Sequence, residues 1–347
     1  MKNLIMILSA LICVTLTFTS CDKSSDSLSN SIQSENEELE SKSRPKNFNP
    51  DQEVIVMAAP SVHNDYYAGA FDGIVSFQVD FANSIEGRDA AIILVDSDTR
   101  KFYEGRVPNY VLVDANMEDI WIRDFGSVLP DKQIKFNYLP NYNPRWASHL
   151  IDNAFEGWIR DQGLSFGKKS NLILDGGNVV DNGAGRVIIT DRFLFDNPRF
   201  TKASAKRKIK KLLGVNEIAI IKESPGDATG HADGMVMWTD ENTILLHDQP
   251  RKVKRSILRE LKRSFPGVEI IIVPDYYKDE VWNGFSSACN IFVNSLVTKN
   301  FIYVPTFNSS NDSEMIAFIQ SHTNKNVVPV AAENVCFMGG SVRCLTW

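Results

Sequence analysis

No sustained run of lysine or arginine crosses this chain of 347 residues, where 37 basic residues stand against 43 acidic ones for a formal net charge of −6. Nucleic-acid binding calls for a basic stripe or face, so no nucleic-acid partner is expected. Cysteine is scarce, five in all, and none sits in a C-x-x-C spacing. That argues against a zinc site. Beyond Asn49 no stretch rich in serine, glycine and proline divides the chain, so residues 51–347 are expected to form a single domain. Aliphatic and aromatic residues are ample for a core, as in an ordinary soluble globular protein.

Large apolar residues are nearly absent from Asp22 to Asn49, a segment rich in Ser, Glu, Lys and Asn. Such a segment cannot bury enough surface to offset chain entropy and is expected to act as a flexible tether. Before it, Lys2 gives a short basic start and Leu4 to Phe18 an apolar run, too short for an ordinary membrane span. Thr19-Ser20 then leads into Cys21. Residues 1–20 read as a signal peptide. The small residue before Cys21 resembles a bacterial lipoprotein cleavage site, which implies lipidation of Cys21, export, and a membrane anchor through residues 21–50. Cys13 and Cys21 thus belong to the leader and the lipid site. The remainder, Cys289, Cys336 and Cys344, is an odd number in a compartment that permits disulfides, so at least one thiol stays unpaired.

Short apolar runs bounded by turn residues predict strands at Val54–Met57, Ala91–Val95, Tyr110–Val113 and Glu269–Val273. Gly185–Thr190 and Thr243–Leu246 follow turn signals at Asp181-Asn182-Gly183 and Asp240-Glu241-Asn242, so each reads as the second arm of a hairpin. Helical spacing of apolar residues predicts helices over Lys202–Leu213, Val253–Phe265, Ser313–His322 and His149–Gln162. Repeated strand and helix units point to a pseudo-repeated α/β architecture.

Three motifs carry chemistry. Gly230-His231-Ala232-Asp233-Gly234 sets an imidazole and a carboxylate two residues apart, on one face if extended. Gly339-Gly340-Ser341-Val342-Arg343-Cys344 sets a thiol after two glycines that permit a tight turn. Glu118-Asp119-Ile120-Trp121-Ile122-Arg123-Asp124-Phe125-Gly126 adds carboxylates and an aromatic wall. A thiol nucleophile, an imidazole to move protons and carboxylates to hold a cation suit attack on a guanidinium carbon. A guanidinium is planar and almost never neutral, and carboxylates paired with its N–H edges hold it. His63, His149, His247 and His322 have no motif around them and read as surface or structural residues.

These motifs, with Asp175-Gly176-Gly177-Asn178 and Asn294-Ser295-Leu296 ahead of Tyr303-Val304-Pro305, resemble the agmatine deiminase and Porphyromonas-type peptidylarginine deiminase family of guanidino-group-modifying enzymes. The resemblance runs from about Val54 to Cys344. It implies a five-bladed α/β propeller, the pentein fold, with the active site on its pseudo-fivefold axis. It implies hydrolysis of a guanidinium to a ureido group and ammonia, without metal or cofactor. By motif position Cys344 matches the nucleophile, His231 the general acid and base, Asp124 and Asp233 the guanidinium-binding carboxylates, and Asn294 a pocket asparagine. Trp121 reads as an apolar wall for the cation, and Asp175 as a further polar contact or an orienting residue. Arg123 reads as structural, since a cation there repels the substrate.

Two departures bear on the substrate. Asp175 stands where the agmatine enzymes often carry Glu. The stretch Phe136-Asn137-Tyr138-Leu139-Pro140-Asn141 holds no arginine to receive a substrate carboxylate, although Arg145 follows closely. With the chain ending at Trp347, no appended C-terminal domain is expected. Agmatine is the narrower expectation and peptidyl or free arginine the alternative. Transfer of the amidino group to an amine, or guanidinium binding without catalysis, are the rivals.

Overall fold

In the computed structural model, residues 52–276 and 280–347 are described. The expected signal segment, Cys21 and the whole of the expected tether lie outside them. The apolar runs form parallel strands. Val54–Ala58 pairs with Ala90–Val95, and Leu112–Asp114 continues the sheet, all in parallel. Parallel neighbours need a crossover, and the helix Phe71–Ile85 supplies it. Ile92, Ile93, Leu94 and Val95 are buried in succession, because such a strand is covered on both faces.

The same unit recurs. Ile134–Asn137 and Lys168–Ile173 pair in parallel around the helix Arg145–Asp161. Arg186–Thr190 and Glu217–Ile221 do so around Lys202–Leu213, and Thr243–His247 and Glu269–Val273 around Arg251–Ser264. Phe301–Thr306 and Asn326–Ala331 complete the series around Asp312–Gln320. A short antiparallel segment opens the last three units: Val180–Asp181, Val236–Trp238 and Leu296–Val297. In the second unit an antiparallel bridge between Val128 and Ile134 takes that place. In the first unit the other end of the chain takes it: Val56 and Trp347 exchange backbone N–H···O bonds of 2.8 Å each.

Alternate residues of one strand feed different cores, the period-two consequence of a pleated strand. Ile55 and Met57 join one cluster, Val56 and Ala58 another. Val187 and Ile189 face the cluster around Phe193, whereas Ile188 faces the one around Trp238. Apolar cores thus sit on both faces of the sheets.

The helix Lys202–Leu213 falls where its spacing predicts, because both ends are capped. The Thr201 side chain accepts from the Ser204 N–H, and Gly214 takes φ 60° past the last turn. Both expected hairpins form. The expected strand at Tyr110–Val113 is displaced. Pro108, at φ −58°, starts a single 3-10 turn over Asn109–Val111, and pairing begins only at Leu112.

Candidate active site

The chemically equipped segments all lie just before those short antiparallel strands, or before Trp347. Asp124 sits on the one-turn helix Ile122–Phe125. Asp175 precedes the turn Gly176–Asn178. His231 and Asp233 precede Val236–Trp238, Asn294 precedes Leu296–Val297, and Cys344 lies three residues before the chain-end pairing. The units therefore bring together residues far apart in the chain, as in the hydrogen bond from Arg123 to the Arg343 carbonyl, 220 positions on.

His231 lies between two carboxylates. Its Nε2 is 3.1 Å from Asp175 Oδ2, and its Nδ1 is 3.5 Å from Asp124 Oδ1. Burial favours the neutral ring, but Asp124, Asp175 and Asp233 outweigh it and raise the imidazole pKa to about 10. Burial also pushes Asp124 up to about 7, against the pull of His231. The cluster therefore retains a proton at neutral pH, carried by the imidazole, which has a carboxylate at each ring nitrogen.

Gly177 closes the cluster. Its N–H donates to Asp124 Oδ1 at 3.2 Å, and its carbonyl accepts from the Asp233 N–H at 3.2 Å. A Cβ at 177 would lie 2.5 Å from both Asp124 Oδ1 and His231 Nδ1, so only glycine fits. Gly230 is fixed in the same way: φ is +65°, and a Cβ would meet Arg192 Nε at 2.5 Å. This glycine turns the chain so that His231 and Asp233 enter the site.

Cys344 is the free cysteine among the described residues, since Cys289 and Cys336 form a disulfide. Its Sγ accepts from Asn294 Nδ2 at 3.1 Å and lies 3.7 Å from Asp233 Oδ2. Burial pushes the thiol well above its ordinary range, with Asp233 and Asp124 adding to the shift and Asn294 opposing it. Asn294 also holds the loop: its Oδ1 accepts from the Ser341 N–H at 3.1 Å and the Ser341 hydroxyl at 2.9 Å. It therefore positions the Cys344 thiol. A Cβ at Gly340 would lie 2.4 Å from Trp121 Cζ3, so Trp121 packs tightly over the Cys344 loop while lining the cleft.

Asp233 is paired with Arg343, whose guanidinium donates to Asp233 Oδ2 at 2.9 Å and to the Val179 carbonyl at 2.7 Å. Arg123 is half-buried, and desolvation, helped by the charge of Arg343, lowers it to about 9. Sequence reasoning passed over Arg343, although it adjoins Cys344, and that adjacency was a usable signal. It also passed over Tyr142, whose hydroxyl donates to Asp175 Oδ2 at 3.3 Å and which no motif flags. His247, read as a surface or structural residue, is buried and lines the cleft.

Cys344, His231, Asp124, Asp233, Asn294 and Trp121 line one cleft of about 1710 Å³, larger than the roughly 300–1,000 Å³ of ordinary small-molecule pockets. Carboxylates dominate its wall. Arg100 is the only lysine or arginine among its described lining residues, and it is paired with Asp114 at 2.6 Å and Glu104 at 3.4 Å. Arg145 does not line the cleft. It begins the helix Arg145–Asp161, whose first turns present Trp146, Ala147 and Leu150 instead.

The model of the Porphyromonas-type peptidyl-arginine deiminase family matches residues 44–347. An agmatine deiminase of Pseudomonas aeruginosa (strain LESB58) is 23% identical over 287 residues, spanning 69% of this chain and 76% of that protein. The solved C. jejuni agmatine deiminase superposes with a TM-score of 0.72 at 19% identity, covering 86% of this chain and 93% of that one. The agmatine deiminase of Enterococcus faecalis gives 0.70 at 15% identity, covering 88% and 98%. At these identities the solved structures share the α/β fold with this chain. The family match spans the segments that converge on the cleft, and the chain belongs to the Porphyromonas-type peptidyl-arginine deiminase family.

Proposed function

We propose that this protein hydrolyses a guanidinium to a ureido group and ammonia, with agmatine as substrate and N-carbamoylputrescine as product. The observation that carries this reading is the placement of the Cys344 thiol, the protonated His231 and the carboxylates of Asp124 and Asp233 on one carboxylate-lined cleft. In the empty site the thiol is neutral. A guanidinium seated against Asp124 and Asp233 neutralises the charges that hold the thiol pKa up, so substrate binding favours the thiolate. The thiol proton leaves past Asp233, its nearest carboxylate.

The thiolate then forms a C–S bond to the guanidinium carbon. The imidazolium of His231 gives its proton to one nitrogen, the C–N bond breaks, and ammonia departs from a thiouronium on Cys344. Neutral His231 takes a proton from a water that attacks the same carbon. The C–S bond breaks as the added hydroxyl gives up its proton to solvent, and the ureido product leaves with the thiolate restored. An amine in place of water gives amidino transfer.

Agmatine fits the wall better than free or C-terminal arginine does. A buried carboxylate without a cationic partner costs several kcal/mol, and Arg100 is already engaged by two acids. Arginine within a peptide, giving citrulline, is the second reading. It is favoured by the volume of the cleft and by Trp146 and Leu150, exposed by 68% and 49% beside it. Purified protein incubated with agmatine, arginine, a peptide ending in arginine and a peptide with internal arginine decides among them by ureido product and ammonia. The reading expects the highest kcat/KM for agmatine; no product from any guanidine refutes it.

The five repeated units are read as five blades around this cleft, a reading supported by the Val56–Trp347 pairing of the first unit with the chain end. Export with a lipid on Cys21 is supported by the Cys289–Cys336 disulfide, a bond that persists in oxidising compartments. Membrane fractionation of a Cys21→Ala variant tests it; retention in the membrane fraction refutes it.

A further inference from the structure

Cys344 and Asn294 sit on two segments of chain that are covalently joined. One segment brings Ala288, Ile291 and Asn294 to the wall of the cleft, the other Met338, Gly339 and Cys344. Where they meet at the thiol, Asn294 Nδ2 donates to Cys344 Sγ at 3.1 Å, and the Asn294 carbonyl accepts from the Arg343 N–H at 3.2 Å. Farther back, the Cys289–Cys336 disulfide joins the same two segments, and beside it the Ala288 N–H donates to the Cys336 carbonyl at 2.8 Å. Asn294 lies five positions after Cys289, and Cys344 eight after Cys336. The disulfide and the Asn294 contacts thus close a small ring that carries the thiol.

Both segments are made of turns. The Ile291 and Asn294 N–H groups donate to carbonyls three residues back, and Asn290 takes φ 68°. Cys336–Met338 is a single 3-10 turn, and Gly339 after it takes φ 103°. Turns bonded to their own near neighbours do little to fix one segment against another, and a short crosslink does so by removing alternative arrangements. Position matters at this point, because a misplacement of about 1 Å near a reacting group can cost about a hundredfold in rate. Cys336 is buried, whereas Cys289 is half-buried and is the sulfur that a small thiol reaches.

We propose that the Cys289–Cys336 disulfide is a positioning element of this site: it sets Asn294 against Cys344, and a dithiol that opens it lowers turnover. This rests on the deiminase reading. A thiolate of the dithiol attacks Cys289 Sγ, the S–S bond breaks, and Cys336 leaves as a thiolate. The second thiolate of the reagent attacks the mixed disulfide and releases Cys289. The two cysteines gain two electrons and the protons that the dithiol gives up, and the dithiol is left as its cyclic disulfide. Asp124 and Asp233 stand on other segments, so the loss falls on kcat more than on KM.

The test compares the wild-type protein, before and after dithiothreitol, with Cys289→Ala/Cys336→Ala. Opening the disulfide is expected to lower kcat for agmatine by at least about tenfold, with a much smaller change in KM. Reoxidation is expected to restore it, and the double variant to be slow with or without dithiothreitol. Hydrogen exchange read by mass spectrometry follows the position without activity. The peptide containing Ser341 and Arg343, whose N–H groups bond to Asn294, is expected to exchange faster, while the helix Lys202–Leu213 exchanges as before. If the double variant does not fold, the treated wild-type protein serves, its open state confirmed by the mass of alkylated Cys289 and Cys336. Faster exchange in that peptide supports the positioning even if no guanidine is hydrolysed by any form, in which case only the deiminase reading falls. Unchanged exchange there overturns the proposal. So does an unchanged kcat in active protein whose disulfide is open, or a disulfide that dithiothreitol opens only by unfolding the protein.

Discussion

Replacing Asp175 by asparagine keeps the shape of the contact to His231 Nε2 at 3.1 Å and removes its charge. A hydrogen bond to a charged partner contributes about 1.5–3 kcal/mol, and one pKa unit corresponds to about 1.36 kcal/mol. The imidazole, held at about 10 in the wild type, should therefore fall by about one to two units in Asp175→Asn. His231 must be protonated to release ammonia, so activity declines as pH rises through its pKa. The alkaline limb of kcat should move toward acid by that interval, with the largest loss between pH 8 and 10 and a smaller one near pH 7.

The same shift links to stability. A raised histidine pKa stabilises the fold fully below its unfolded value near 6.5, and that contribution is lost as pH rises toward 10. Asp175→Asn should flatten that alkaline loss. Ammonia release measured across pH 6 to 10, beside urea unfolding at the same pH values, checks both. An unmoved alkaline limb would mean that His231 is not the proton donor, or that Asp175 does not tune it.

Asp124→Asn and Asp233→Asn should each lower kcat/KM by at least about tenfold, the scale of one lost charged hydrogen bond; near-normal kinetics in both would place the guanidinium elsewhere. Gly177→Ala should depress kcat strongly while circular dichroism stays native, because a methyl there meets both Asp124 and His231 at 2.5 Å; unchanged kcat would contradict that geometry. Glu260 tests the scaffold: burial raises its pKa, but Lys206 at 2.6 Å and Lys202 at 2.9 Å outweigh this and hold it at about 2. Its stabilisation is present above about pH 4.5 and lost toward pH 2, so Glu260→Gln should be less stable at pH 7 and show a flatter acid limb in urea unfolding.

Much of the fold was legible because parallel strands buried on both faces leave continuous apolar runs, as in Ala90–Val95, and the half-buried edge strand Glu269–Val273 keeps such a run too. Helices with strong caps, such as Lys202–Leu213, could be bounded to the residue. The displaced strand at Tyr110–Val113 shows the limit. A proline before an apolar run favours a turn, and periodicity does not register it. The site was legible where glycines and reactive residues cluster in sequence, as around His231 and Cys344. Partnerships across the cleft were not. Asp233 pairs with Arg343, and Asn294 supports the Cys344 loop through Ser341. Such pairings depend on how loops from separate units converge. His247 was obscure for the same reason: only the fold shows that a histidine without a motif is buried on the wall of the cleft.

The central claim is that Cys344 attacks the guanidinium carbon. Acid-quenched samples taken during turnover of agmatine, digested and weighed by mass spectrometry, test it most directly. The account predicts a transient adduct on the peptide containing Cys344, carrying the substrate without one ammonia, and neither adduct nor product in Cys344→Ala. Product formation by Cys344→Ala, or an adduct on any other residue, would contradict it.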